Sequence, residues 1–260
     1  MNQTIATLMN RRSVRAYTEQ QLSLETRRTI LEAALRAPTA GAMMLYSVIE
    51  VEDQALKDKL AVTCDHQPFI AKAPYVLLFL ADYQRWTDYY QLCDVEALCA
   101  RENLKPRQPQ AGDLMLACCD ALIAAQTSVI AAEALGVGSC YIGDIMERYE
   151  VHREMFDLPP YVFPITLLCF GYPTEQQKNR EQVPRFEQEF VVYKNKYQRL
   201  KAEDFERMYS AAESRWNPAA YEKSAVNPGQ HTYLRKFAAA FSLEMNRSAR
   251  AAMAQWLEEE

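Results

Sequence analysis

The sequence predicts an α/β or α+β fold, and three observations lead to this prediction. Two continuous apolar runs, at 75–82 and 162–171, are typical of strands that lie inside a sheet. Residues 113–135 are apolar on nearly every side, which indicates a helix enclosed by other elements or by a second subunit. Polar segments with helical periodicity alternate with the apolar runs, so helices and strands are mixed along the chain.

The remaining elements follow from local signals. Helices are predicted over 2–10 and 23–36, the second with Ser23 as its N-cap and Pro38 beyond its end. The other predicted elements are a strand at 46–51, a helix at 53–63, an extended piece at 139–143, a helix at 146–156 and a short strand at 191–195. We predict one domain over 1–199, followed by a C-terminal helical extension over 200–260.

The composition excludes several classes of protein. Charged residues make up 24% and hydrophobic residues 49% of the chain, which is typical of a folded, soluble enzyme. The net charge of -5 gives no overall attraction to nucleic acid or to anionic lipid, so we expect neither as a partner. The N-terminus lacks a signal peptide, and the apolar runs look too short or too interrupted to span a bilayer, which favours the cytoplasm.

The cysteines and histidines carry no recognisable framework. The seven cysteines show no CxxC motif, and their odd number argues against a secreted disulfide scaffold, so we expect reduced thiols. None of the three histidines has a second ligand at metal-binding spacing, so we predict no metal.

Three arginines and a serine cluster near the N-terminus, in the segment RRSVRAY at 11–17. Guanidinium groups bind phosphate or carboxylate in a bidentate manner, and a serine hydroxyl adds a further hydrogen bond. The segment therefore indicates a phosphorylated ligand. The alternative is a solvated basic end of the first helix.

RRSVRAY resembles the N-terminal motif of the FMN-dependent nitroreductase family, and three further segments agree with it in order and spacing. They are APTAGAMMLYSV at 37–48, AAQTSVIAAEALGVGSCYIG at 124–143, and ITLLCFGYP at 165–173 followed by VPRF at 183–186. The lengths of 83–110 and of the C-terminal region resemble the larger, oxygen-insensitive nitroreductase and flavin reductase branch. The resemblance implies an α+β three-layer sandwich with a mostly antiparallel central sheet flanked by helices.

The resemblance also implies which residues contact FMN. Arg11, Arg12 and Ser13 would lie mainly toward the phosphate and ribityl chain, and Arg15 would reach the ring. The other implied cofactor contacts are Pro38, Thr39 and Ala40 from the partner subunit, Gln67 at the polar edge of the ring, Tyr141, Ile142, Gly143 and Asp144 along one ring face, and Arg185 at the phosphate. The chain departs from the family pattern at Ala42, Met44 and Val183, so flavin contacts there must differ.

The resemblance implies a homodimeric enzyme that passes electrons from NADPH or NADH through FMN to a nitroaromatic, a quinone or a similar acceptor. No GxGxxG follows a first strand, so the nicotinamide has no separate Rossmann site and must use the flavin pocket in turn with the acceptor. This alternation predicts ping-pong kinetics. No side chain need act as a catalytic nucleophile or base, because the cofactor supplies the chemistry.

Three alternatives stay open at this stage. A specialised family member would carry out reductive dehalogenation or flavin fragmentation. A flavin-binding redox sensor would use a cysteine, for which Cys140 beside the flavin loop is the best candidate. A phosphate-ligand binding protein would contain no flavin at all.

Overall fold

The structure is a computed structural model that describes residues 2–214, 217 and 224–257. The chain forms two compact units, one of residues 1–180 together with 244–260, the other of residues 181–243. The predicted division at residue 199 stays a prediction. Asn217-Pro218 in the sequence predicts a turn within the helical extension, and Pro218 lies outside the described residues.

The first unit contains one sheet of four strands, every neighbouring pair of which is antiparallel. The strands are β1 Tyr46–Glu50, β2 Tyr75–Asp82, β3 Gly138–Ile142 and β4 Val162–Gly171. Their order is β1-β2-β4-β3, which places the two continuous apolar runs in the centre of the sheet. The predicted α+β fold class is therefore confirmed.

Helices cover the sheet and form the second unit. In the first unit they are α1 Gln3–Asn10, α2 Leu24–Leu35, α3 Gln54–Thr63, α4 Phe69–Lys72, α5 Gln84–Leu92, α6 Val95–Arg101, α7 Ala111–Ala134, α8 Tyr149–Met155, α9 Glu175–Lys178 and most of α12 Ala240–Met253; the second unit contains α10 Ala202–Glu213 and α11 Pro228–Thr232. As predicted, the Ser23 hydroxyl accepts from Thr26 N and caps α2.

Alternation of side chains along β2 builds three layers. Leu77 and Phe79 face a core that includes Ile30 of α2 and Val129 of α7. Leu78 and Leu80, on the other face, pack in a second core with residues of α3, α4 and the turn after β3. The sheet is thus covered on both faces, which is why its central strands contain almost no polar residue.

Helix α7 is the longest helix of the described chain, with 24 residues, and begins with a capping box between Gln110 and Asp113. One side is buried, while Met115, Leu116, Leu122 and Ile123 are exposed. By length and composition this helix could cross a membrane, contrary to the sequence expectation, although the buried core helix of a soluble protein has the same properties.

The second unit is held by aromatic contacts. The Arg207 guanidinium lies 5.5 Å from the centroid of the buried Phe190 ring, and the Phe186 and Tyr209 rings meet edge to face at 5.5 Å. The short strand predicted at 191–195 is wrong, because these residues form a turn and bends after a 3₁₀ turn at Gln188–Phe190.

Candidate functional site

The N-terminal arginine segment lies along the outer edge of β3. Ser13 forms a parallel bridge with Ser139, and Val14 N donates to Ser139 O at 2.8 Å. Gly138 permits this approach, because a Cβ at that position would overlap the Val14 side chain. The sheet edge therefore fixes the backbone from which the predicted phosphate-binding arginines extend.

The chain after β4 folds over this segment. Arg12 Nη1 donates to the carbonyl oxygens of Lys178 and Arg180 at 2.5 and 2.6 Å, and Arg15 N donates to Gln177 Oε1 at 3.1 Å. Backbone oxygens orient the Arg12 guanidinium, which leaves its other N–H groups to be directed at a ligand. The sequence did not predict this contact.

Two polar groups beside the arginines lack partners. The Ser139 hydroxyl is fully buried without a hydrogen bond, and the same is true of Glu133 Oε1. Burial raises the pKa of Glu133 to about 7, although Arg11 and Arg12 act in the opposite direction. Guanidinium donors next to unpartnered oxygens fit a phosphorylated ligand that also carries hydroxyl groups.

Arg15, the third arginine of the segment, packs against an aromatic ring. Its guanidinium carbon is 5.9 Å from the centroid of the Phe69 ring. Burial raises the pKa of the Cys140 thiol, while Arg15 and Arg11 lower it by a smaller amount. A buried thiol that stays protonated is a poor nucleophile, and this weakens the alternative of a cysteine-based sensor.

The structure brings together Gln67 and Asp144, two of the predicted cofactor contacts. Asp65 and His66 adopt left-handed conformations, with φ of 55° and 51°, and make the turn that presents Gln67. Gln67 Nε2 donates to Cys64 O at 3.0 Å and to Asp144 Oδ2 at 2.8 Å. The amide is therefore held in one orientation next to the end of β3.

The end of β3 carries the other predicted contacts. The Tyr141 hydroxyl donates to Gln126 Oε1 at 3.2 Å, and burial raises the pKa of this phenol to about 12. Ile142 is buried, and a 3₁₀ turn over Gly143–Met146 follows it directly. Tyr141 is thus a neutral, partly buried aromatic beside a tight turn.

The loop after α2 is organised by one buried carboxylate, Asp120 of α7. The Thr39 hydroxyl donates to it, and Ala40 N and Leu45 N donate at 3.0 and 3.1 Å. Thr39 Oγ1 in turn accepts from Met44 N at 2.8 Å. Through Asp120, helix α7 therefore fixes the conformation of residues 38–45, the Thr39 loop.

Within one chain, this loop is distant from the arginine segment. Asp120 and Glu133 are 13 positions apart on α7, which at 1.5 Å per residue is roughly 20 Å. Thr39 and Ala40, and the exposed Pro38 before them, are accordingly not brought to Arg12 by their own chain. Their predicted role toward a partner subunit's flavin stays a prediction.

Arg185 belongs to the second unit. Its Nη1 donates to Val183 O at 2.8 Å and to Pro184 O at 3.4 Å, and the residue is exposed. Its predicted contact with the phosphate stays a prediction.

Sequence reasoning missed four residues that shape the site. Asp120 and Glu133 are the only charged residues between 114 and 134, and that isolation was a usable signal. Glu147 and His152 gave no signal, because IMERYEVH reads as an ordinary polar helix start. His152 is fully buried, with Nδ1 2.8 Å from Ile145 O and Nε2 2.8 Å from Thr63 Oγ1.

An antiparallel sheet flanked by helices, with arginines beside its outermost strand, defines an α+β protein with a candidate site for an anionic ligand. The model of the nitroreductase family matches residues 8–172. This chain belongs to the nitroreductase family, as its sequence motifs predict.

Curated relatives and a solved structure agree with this assignment. The chain is 33% identical over 205 residues to an FMN reductase (NADPH) of Bacillus subtilis, covering 79% of this chain and 78% of the relative. It is 32% identical over 200 residues to an oxygen-insensitive NADPH nitroreductase of Salmonella typhimurium, covering 77% of each. The structure of an NADPH:FMN oxidoreductase from Vibrio harveyi complexed with NAD+ matches with a TM-score of 0.78 and 25% identity, over 97% of this chain and 98% of that one.

Proposed function

We propose that this protein is an FMN-dependent oxidoreductase that takes electrons from NADPH and passes them to an oxidised small molecule. Family membership and the names of the relatives support this activity. The observation that carries the proposal is the arginine segment on the edge of β3, next to the unpartnered Ser139 hydroxyl and Glu133 oxygen. These groups fit the phosphate and hydroxyl groups of FMN.

Each predicted residue has a role in this proposal. Arg11, Arg12 and Ser13 bind the phosphate and ribityl chain, while Arg15 and Gln67 hydrogen-bond the polar edge of the ring. Tyr141, Ile142, Gly143 and Asp144 line one ring face, Arg185 adds a cation at the phosphate, and Pro38, Thr39 and Ala40 come from the partner subunit. FMN, when bound, supplies the hydride chemistry, and the protein supplies orientation and electrostatics.

We propose nitroaromatics and quinones as acceptors, and a ping-pong order in which nicotinamide and acceptor use one pocket in turn. The names of the relatives support NADPH over NADH as the donor. Strict preference for another substrate class would instead indicate a specialised chemistry such as dehalogenation.

We propose a homodimer, formed in part by the exposed apolar side of α7. Met115 is 71% exposed in the single chain, and Leu116, Leu122 and Ile123 are each more than 40% exposed. So many large apolar side chains on one helix favour burial against a second subunit. We propose the cytoplasm as the location of this dimer.

The test is the visible spectrum of the purified protein during anaerobic addition of NADPH, followed by a quinone. Flavin bands that bleach and then return support the proposal, whereas a protein that stays colourless after incubation with FMN contradicts it. A colourless protein that still binds phosphorylated ligands would support the flavin-free alternative.

The same spectrum tests the arginine segment. Arg12→Ala removes a cation that the backbone orients at the site, so we expect FMN to bind at least about tenfold more weakly, equivalent to about 1.4 kcal/mol. Arg28→Ala is the matched control, because Arg28 lies on α2 with its side chain 80% exposed, paired with Glu32. Equal FMN affinity in both variants would show that Arg12 does not contribute to FMN binding.

A further inference from the structure

Two carboxyl groups lie together at the end of β3. Asp144 and Glu147 are three positions apart around the 3₁₀ turn, and Glu147 N donates to Asp144 O at 3.0 Å. Asp144 is half-buried, and its Oδ2 accepts from Gln67 Nε2 at 2.8 Å. Asp144 thus borders the proposed flavin site, and Glu147 lies behind it.

Glu147 is buried without the partners that an ionised carboxylate requires. The residue is only 5% exposed, and its Oε1 has no hydrogen-bond partner. The bond from Glu147 N to Asp144 O holds the two residues on one turn, and the Asp144 carboxyl is among the groups that raise the pKa of Glu147. Two carboxylates have acceptors only, so a hydrogen bond between these side chains requires that one of them carries a proton.

The surroundings favour a retained proton. Burial and the negative charges of Asp144 and Asp65 raise the pKa of Glu147 to about 7, and Arg148 opposes this shift without reversing it. The Cys64 thiol next to the pair has a raised pKa and stays neutral. Two carboxyl groups on one buried turn repel each other when both are ionised, which favours a state in which one of them keeps its proton.

A further titratable group, His152, bonds to the turn that carries the pair. Both of its ring nitrogens are bonded, and burial lowers its pKa, so it does not provide a compensating charge. Its hydrogen bonds join Ile145 of the turn to Thr63 at the end of α3. It thereby fixes the turn that carries Asp144 and Glu147 against the segment that carries Gln67.

We propose that Asp144 and Glu147 share one proton and form the proton donor for the acceptor that is reduced at this site. Asp144 delivers the proton, and Glu147 is a positioning residue that retains it at neutral pH. This inference rests on the proposed function. It gives a chemical role to Asp144, which the proposed function places only along one ring face, and to Glu147, which has no role there.

The count of electrons and protons is simplest when the acceptor is a quinone. A quinone becomes a hydroquinone by gaining two electrons and two protons, and one proton arrives with both electrons as a hydride. The second proton leaves the Asp144 carboxyl as its O–H bond breaks, and it forms the new O–H bond on the quinone oxygen. Water then returns one proton to the pair, which restores the starting state.

The experiment compares the wild-type enzyme with Glu147→Gln, Asp144→Asn and the control Glu154→Gln. Glu154 is an exposed carboxyl on α8, so the control makes the same chemical change away from the pair. The single-turnover rates of reduction by NADPH and of reoxidation by a quinone are measured separately between about pH 5 and about pH 9. Infrared spectra over the same range detect the carbonyl stretch of a protonated carboxyl.

We expect the wild-type reoxidation rate to fall as pH rises through about 7, and the protonated-carboxyl band to disappear over the same range. Glu147→Gln should flatten the rate profile and weaken that band, leaving the contribution of Glu133, whose pKa is also raised to about 7. Asp144→Asn should slow reoxidation at least about tenfold at every pH, while the control behaves as wild type.

The outcomes separate the two proposals. Failure to bind FMN or to be reduced by NADPH would contradict the proposed function. Normal reduction by NADPH, together with a wild-type reoxidation profile in both Glu147→Gln and Asp144→Asn, would overturn only the proton-donor inference. A protonated-carboxyl band of equal strength in wild type and in Glu147→Gln would overturn it as well, and this readout does not depend on turnover.

Discussion

Two buried carboxyl groups of this protein behave in opposite ways because their neighbours differ. Asp120 is 2% exposed and accepts hydrogen bonds from three donors of the Thr39 loop. Glu147 is almost as buried, but one of its oxygens has no partner, and the negative charge of Asp144 adds to burial in raising its pKa. Burial alone therefore does not decide what a carboxyl does; the supply of donors does.

The largest effect is expected at Asp120. Asp120→Ala leaves three donors without their acceptor at a buried position, so we expect a loss of about 3 kcal/mol in the free energy of unfolding. Urea denaturation measures the change. Asp58→Ala on the exposed side of α3 is the control, for which we expect no more than about 0.5 kcal/mol. If Asp120→Ala and Asp58→Ala lowered the free energy of unfolding equally, Asp120 would be no better bonded than an exposed carboxyl. The contrast between Asp120 and Glu147 would then be wrong.

A smaller effect is expected at the hydroxyl that faces Asp120. Thr39→Val keeps the shape of the side chain but removes one donor to Asp120 and one acceptor for Met44 N. We expect a loss of about 1 to 2 kcal/mol by urea denaturation. Thr29→Val is the matched control, because Thr29 is exposed and its hydroxyl donates to Glu25 O within α2. A loss at Thr39 no larger than that at Thr29 would show that the bonds to Asp120 add nothing to stability.

The smallest effect is expected at Glu147, and it has the opposite sign. The pKa of Glu147 is raised to about 7 in the folded protein, so between about pH 4.5 and about pH 7 the unfolded chain loses a proton that the folded chain keeps. Stability is lost as pH rises through this window. Glu147→Gln cannot ionise, so its unfolding temperature should exceed that of wild type by a few degrees at about pH 8, equivalent to about 1 kcal/mol.

At about pH 4.5 the Glu147→Gln advantage should vanish, because the wild-type carboxyl is then protonated in both states. Glu154→Gln, which changes an exposed carboxyl, should show no such dependence. A Glu147→Gln variant less stable than wild type at about pH 8 would contradict the contrast between the two acids.

Much of the fold could be predicted from the sequence, since the apolar runs that became β2 and β4 are too continuous for any surface position. The Ser23 cap was predictable for the same kind of local reason. The short strand predicted at 191–195 was wrong, because Val191 and Val192 resemble a strand only in composition and are exposed. Local apolar residues do not specify a strand without a sheet to join.

The site was predictable only in part. The arginine segment was found because its charges are consecutive in the sequence, and Gln67 because of the family resemblance. The pairing of Asp144 with Glu147 depends on a 3₁₀ turn, and the bonding of Asp120 depends on a loop eighty positions earlier. The isolation of Asp120 on an apolar helix marks it as unusual, but nothing near either acid in the sequence indicates which residues it contacts.

The separation of the Thr39 loop from the arginine segment has a genetic consequence. In the proposed dimer each flavin takes Arg12 from one chain and Thr39 from the other, so damaged alleles can complement one another. A chain with a defective arginine segment and a chain with a defective Thr39 loop, each inactive alone, form mixed dimers with one wholly intact site and one doubly defective site. Random pairing of equal amounts should restore about a quarter of the wild-type sites.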